Sequence, residues 1–96
     1  MKTHKLKTWC EPYNAVCEGR KRHEYRLDDR GFEVGDVLHL REFNHEMSEA
    51  GVYTGRWVLA RVTYVSRGPD FGIPEGYVVM SISTVINTVI GDEPID

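Results

Sequence analysis

The clearest chemistry in the chain is carried by Lys21, Glu24 and Arg26, which fall within the run Gly19-Arg20-Lys21-Arg22-His23-Glu24-Tyr25-Arg26. A lysine beside a cleft binds phosphate as a compact point charge, and a desolvated lysine can act as a base. Glu24 and Arg26 are two residues apart, so on a strand they point the same way about 7 Å from each other. The carboxylate can then fix the guanidinium, and a fixed planar guanidinium stacks on a base or forks onto a phosphate. Arg20, Arg22 and Arg30 add background attraction for a polyanion, weak and salt-sensitive. Each of these residues also has a plain structural use. Lys21 is then an exposed strand lysine, Glu24 with Arg26 is a salt bridge worth ~0–1 kcal/mol if exposed, and the other arginines simply solvate a surface. Trp9 and Tyr25 are the aromatic residues best placed near this run to offer a stacking face. Tyr53, Trp57, Tyr64 and Tyr77 fit better as core or cross-strand partners.

Several other chemistries lack their spacing. His4, His23, His39 and His45, with Cys10 and Cys17, contain no CxxC, HxxxH or HExxH pair, so no metal and no cofactor is expected. His4 and His23 are expected instead as hydrogen-bonding side chains lining the cleft. Serine-nucleophile and phosphate-loop motifs are absent, so nothing supports nucleophilic serine or cysteine catalysis. Two cysteines make no disulfide framework, and a cytosolic pair stays reduced. The net charge of −3 argues against a general polyanion binder, but its distribution is uneven. Residues 1–30 hold eight Lys/Arg against five Asp/Glu, and residues 31–96 hold four against ten. A basic first third on an acidic body suits a local anion-binding patch. No run of ~18 apolar residues suggests a membrane span. The start, Met-Lys-Thr-His-Lys-Leu-Lys, lacks the apolar core of a secretory signal, which points to the cytoplasm.

The elements that must position these residues follow from periodicity. Ninety-six residues make one small domain that buries roughly 60–70 % of its unfolded surface. Residues 3–9 alternate as a first strand. Glu11-Pro12 opens a helix of about two turns that Gly19 ends, with Tyr13, Val16 and Cys17 toward the core. Residues 21–27 form a second strand. Strict alternation puts Lys21, His23, Tyr25 and Leu27 on one face and Arg22, Glu24 and Arg26 on the other. A turn at 28–31 and another at Gly35-Asp36 lead into a third strand, Val37–Phe43. Val52–Ser66 is the longest strand signal, with a bulge or bend expected at Thr54-Gly55-Arg56. Residues 67–76 are a loop, and Tyr77–Val85 a final central strand. The expected fold is α+β and mainly β: a small mixed pseudo-barrel over residues 1–86 with one N-terminal helix at an opening, and an acidic tail over 87–96, its last six residues frayed.

His4-Lys5-Leu6-Lys7, Gly19-Arg20-Lys21-x-x-Glu24-x-Arg26 and Asp29-Arg30-x-Phe32-x-Val34-Gly35-Asp36-x-Leu38-x-Leu40-x-Glu42 are followed by Tyr53-Thr54-Gly55-Arg56, Val62-Thr63-Tyr64 and Gly76-Tyr77-Val78-Val79. In this order and spacing, over nearly the whole chain to about Ile86, they resemble the ASCH domains of the PUA-like superfamily. Within it they are most similar to the small bacterial and phage group catalogued as DUF3850. The resemblance implies a pseudo-barrel with a cleft beside the GxKxxExR strand, and RNA or a modified nucleoside as ligand. ASCH relatives include an amidohydrolase acting on N4-acetylcytidine and a ribonuclease. In the amidohydrolase the motif lysine works with a threonine three residues on and a glutamate from a later strand. Lys21 matches the lysine, Glu24 stands at the threonine position, and Glu75 is the nearest candidate for the glutamate. Three expectations follow: a module binding RNA or a nucleoside through Lys21, Glu24, Arg26, Arg20, Arg22, Tyr25 and His4; a small hydrolase using Lys21 with Glu24; or a domain that recognises a protein. The oligomeric state is left open.

Overall fold

The computed structural model describes residues 1–91. Five strands and one α-helix follow one another as β1 (Thr3–Trp9), α1 (Cys10–Cys17), β2 (His23–Leu27), β3 (Val37–Asn44), β4 (Val52–Arg67) and β5 (Tyr77–Ile90), with a single 3-10 turn at Asp70–Gly72 before β5. They form a single sheet in the order β1-β3-β4-β5-β2, with β1 parallel to β3 and every other pair antiparallel. The fold is thus a small, mainly β pseudo-barrel of the α+β class: a sheet curled into a half-barrel with a single helix.

The interior follows from alternation. His4, Leu6 and Thr8 of β1 point inward while Lys5, Lys7 and Trp9 point out. Leu38 and Leu40 of β3, Val58, Ala60 and Val62 of β4, and Val78 and Met80 of β5 complete the apolar interior. The helix is short and has no side-chain cap at Trp9, so packing holds it: Tyr13 and Val16 are buried against the sheet. Cys17 packs at the edge of the same cluster, and both Cys10 and Cys17 are free thiols.

The structure departs from simple alternation where the chain bends. The second strand begins at His23 and not at Lys21, because the end of α1 is still unwinding there: the N–H groups of Arg20 and Lys21 both donate to Ala15 O, at 2.9 and 3.0 Å. Gly19, at φ 77°, makes that reversal, a conformation a side chain would strain. In β4 the pairing with β5 shifts between Val62 and Tyr64, so Tyr64 is exposed and Val65 packs inward in its place. The irregularity expected near Gly55 is present. Two extra residues bulge from β4 where Arg41 pairs with Trp57 but Phe43 pairs with Tyr53. The strand expected over Tyr77–Val85 continues to Ile90, so residues 87–90, assigned above to the tail, belong to β5. Of the six residues expected to fray, 92–96 lie outside the described residues.

Candidate functional site: a cationic recess in the seam of the sheet

The order of the sheet leaves β1 and β2 at its two ends, and its curl brings those ends together. Among the described residues no ladder joins them. Two guanidinium groups bridge the seam instead: Arg26 Nη2 of β2 donates to Lys7 O at 3.0 Å, and Arg30 Nη1, from the turn after β2, donates to Lys5 O at 2.9 Å. Above the Arg26 bridge the seam widens into a recess of about 310 Å³, walled by β1 residues Lys7, Thr8 and Trp9, by Pro12 of α1, and by Lys21 with residues 23–26.

Glu24 forms the floor of this arrangement. It pairs with Met80 across the β2–β5 ladder, as Arg26 pairs with Val78, so both side chains enter the barrel from the inward face. Glu24 is buried, and a carboxylate there needs partners. It has two. Lys21 Nζ donates to Oε1 at 2.9 Å and Arg26 Nε donates to Oε2 at 3.0 Å. Lys21 therefore shares the site although strict alternation put it on the opposite face. It precedes the strand, so the period of two does not bind it, and its ammonium folds back toward Glu24 and His23 O. Two cations against one carboxylate leave the cluster with a net charge of +1, its cationic groups partly open to solvent.

Aromatic rings stand beside the charges. Trp9 is 54 % exposed and Tyr25 is 49 % exposed, and both line the recess. Tyr25 stacks on Tyr77 with ring centroids 5.3 Å apart. Thr8 lines the recess with a buried hydroxyl that has no hydrogen-bond partner among the described residues. Lys7, Thr8 and Pro12 were not singled out from sequence, because only the parallel β1–β3 pairing and the curl bring them to Glu24. His23 is exposed and lines the recess as expected.

Other residues named from sequence sit elsewhere. His4 does not line the recess. It is buried, with Nε2 2.8 Å from Asp36 Oδ2 and its ring edge-on to Phe32. Burial alone would raise the Asp36 pKa, but hydrogen bonding to His4 and to the N–H groups of Lys2 and Glu33 outweighs it and holds the carboxyl below its ordinary value. Arg20 is exposed and paired with Glu18 at 2.6 Å. Arg22 donates to Gly19 O and borders another groove with Val16 and Ile82, which Lys21 also lines. Glu75 is exposed in the loop before β5, outside the recess. A second buried carboxylate, Glu42, accepts from Thr54 Oγ1 at 2.7 Å and lies 3.4 Å from Arg56 Nη1 at the β4 bulge. Burial, followed by the negative charge of Glu42, pushes the Cys10 thiol up, so its thiolate is disfavoured.

Fold and site together define a small mainly β half-barrel whose two end strands frame a positively charged cleft. Residues 3–82 match DUF3850, a domain of unknown function, and the chain belongs to that family. It is also 40 % identical over 79 residues to the uncharacterized 12.9 kDa protein in GpA 3'region of Escherichia phage P2. That alignment covers 82 % of this chain and 66 % of the phage protein, so the chain spans just under two thirds of that relative's length. Among the described residues no helix is long and apolar enough to cross a membrane.

Proposed function

We propose that the recess binds a nucleotide, in RNA or as a modified nucleoside, and that the chain is an ASCH-like binding module of PUA-like type. One observation carries the reading: Lys21 and Arg26 converge on the buried carboxylate of Glu24 in a recess also walled by two half-exposed aromatic rings. The cations supply the site for one negative charge, and the guanidinium has donors left after the two bonds it makes. Trp9 and Tyr25 supply flat faces for an unstacked base. The unpartnered Thr8 hydroxyl supplies a donor or an acceptor. The resemblance to ASCH domains favours the same ligand class.

The hydrolase alternative is less well supported. Both oxygens of Glu24 are engaged by cations, so it would have to release one before serving as acid or base. Glu75 lies outside the recess. Binding of short single-stranded RNA, followed by fluorescence anisotropy, tests the reading. Affinity should fall with salt, with a log–log slope of about −0.7 per phosphate contact. Lys21→Ala and Arg26→Ala should each weaken it. Tight binding indifferent to both substitutions would exclude this recess. Incubation with N4-acetylcytidine should leave it intact by chromatography, and its deacetylation would favour the hydrolase.

A further inference from the structure

A second concavity lies immediately beyond the recess. Trp9 and Pro12 form the ridge between them, since both residues line both hollows. The second hollow measures about 450 Å³ and is also lined by Glu11, Asn44, His45 and Glu46. Both volumes belong to the range of small-ligand sites. The two hollows carry opposite charge. The first has Lys21 and Arg26 against Glu24, with the Lys7 ammonium turned over the Phe43 ring 4.2 Å from its centroid, whereas the second has Glu11 and Glu46 and no lysine or arginine in its lining.

The Trp9 indole already carries a flat ring. The imidazole of His45 stacks on it with centroids 4.1 Å apart and an interplanar angle of 23°. His45 belongs to the polar turn after β3, and its side chain is 44 % exposed. The imidazole also lies 3.7 Å from Glu46 Oε1, so a base that takes its place on the indole exchanges one ring stack for another and leaves that carboxylate to accept from the base.

We propose that the ligand is at least two linked nucleotides, bent over Trp9, with the second base in the acidic hollow. This rests on the nucleotide reading of the first recess. The linking phosphate stays on the side of Lys21 and Arg26, because the carboxylates of the second hollow repel it. The same carboxylates accept N–H donors, as Glu and Asp do from the amino group of cytosine. The second hollow therefore selects a base with an exocyclic amino group over uracil. In the ligand-bound state the base replaces His45 against the indole.

Calorimetric titration of the full chain with CMP, cytidylyl-cytidine and uridylyl-uridine provides the test. Cytidylyl-cytidine should bind at least tenfold tighter than CMP and several-fold tighter than uridylyl-uridine. Changing both Glu11→Ala and Glu46→Ala, which removes the acceptors, should abolish the preference for cytosine over uracil while leaving CMP affinity unchanged. His45→Ala should strengthen dinucleotide binding alone. If CMP binds in a Lys21-dependent way but cytidylyl-cytidine binds no tighter, the second subsite is overturned and the first recess stands. If neither CMP nor the dinucleotides bind, the nucleotide reading of the first recess fails, and this inference with it.

Discussion

Asp36 and Glu24 are both acidic side chains withdrawn into the same small interior, yet their partners differ in kind. Asp36 is held by two backbone N–H groups and by His4, itself buried. Those partners are rigid parts of the fold, and they tie the turn before β3 to the start of β1. Glu24 is held by the ends of two long, flexible cations that reach into an open recess. A carboxylate satisfied by the backbone locks a chain connection. A carboxylate satisfied by side-chain cations instead aims their charge at whatever enters the recess. The burial of an acid therefore says little about its role until its partners are known.

The largest test of this contrast is Asp36→Ala. Removing one member of a buried, hydrogen-bonded pair costs about 3 kcal/mol, read as a lower midpoint in chemical denaturation. Nucleotide affinity of the folded fraction should not change. Equal losses in stability and affinity would erase the distinction. Glu24→Gln should do the reverse, weakening nucleotide binding about tenfold, or about 1.4 kcal/mol. It does so although it adds positive charge to the recess, because Lys21 and Arg26 lose their common anchor. Stronger binding in this variant would show that charge matters and positioning does not.

Acid should separate the two sites more gently. The Asp36 pKa lies below its ordinary value of 3.8 in the folded state. Its stabilising contribution is therefore complete above the ordinary value and is lost as pH falls through the lowered one. Thermal melts of the wild type should fall below about pH 4, and Asp36→Asn should remove this group's share of the slope. The smallest effect is expected from Arg26→Lys. It keeps the charge but not the fork that reaches Glu24 and Lys7 O together. Binding should weaken only several-fold in the same anisotropy assay, with a loss near that of Arg26→Ala arguing that the fork is the whole of the contribution.

Most elements were legible because they rest on local pattern. The first strand, the helix closed at Gly19 and the turn into β3 all follow from residue type at fixed spacing. Glu24 with Arg26 was also legible, since two residues apart on a strand means one face. Lys21 was misplaced because the strand starts two residues later than its charged run, and only the hydrogen bonds to Ala15 reveal that delay. His4 was misassigned because its partner lies 32 residues away. No local pattern shows that an inward histidine will meet an aspartate. The length of β5 was underestimated because Asn87 and Thr88 break its apolar run, although Asn87 Nδ2 donates to Cys17 O and ties the strand to the helix. The walls contributed by Lys7 and Thr8 depend on a parallel pairing and a curl that sequence does not encode locally.

The missing ladder between β1 and β2 has a mechanical consequence. Two arginine clasps are far easier to release than a row of amide bonds, so this border is where the sheet can breathe without unravelling. A guest that draws Arg26 toward itself loosens one clasp, and a guest that grips both rims replaces it. Hydrogen exchange at the Lys7 and Tyr25 amides, which lie on the seam side of their strands, distinguishes these outcomes, because slower exchange on loading means that the occupant itself acts as the sixth strand's substitute and completes the barrel.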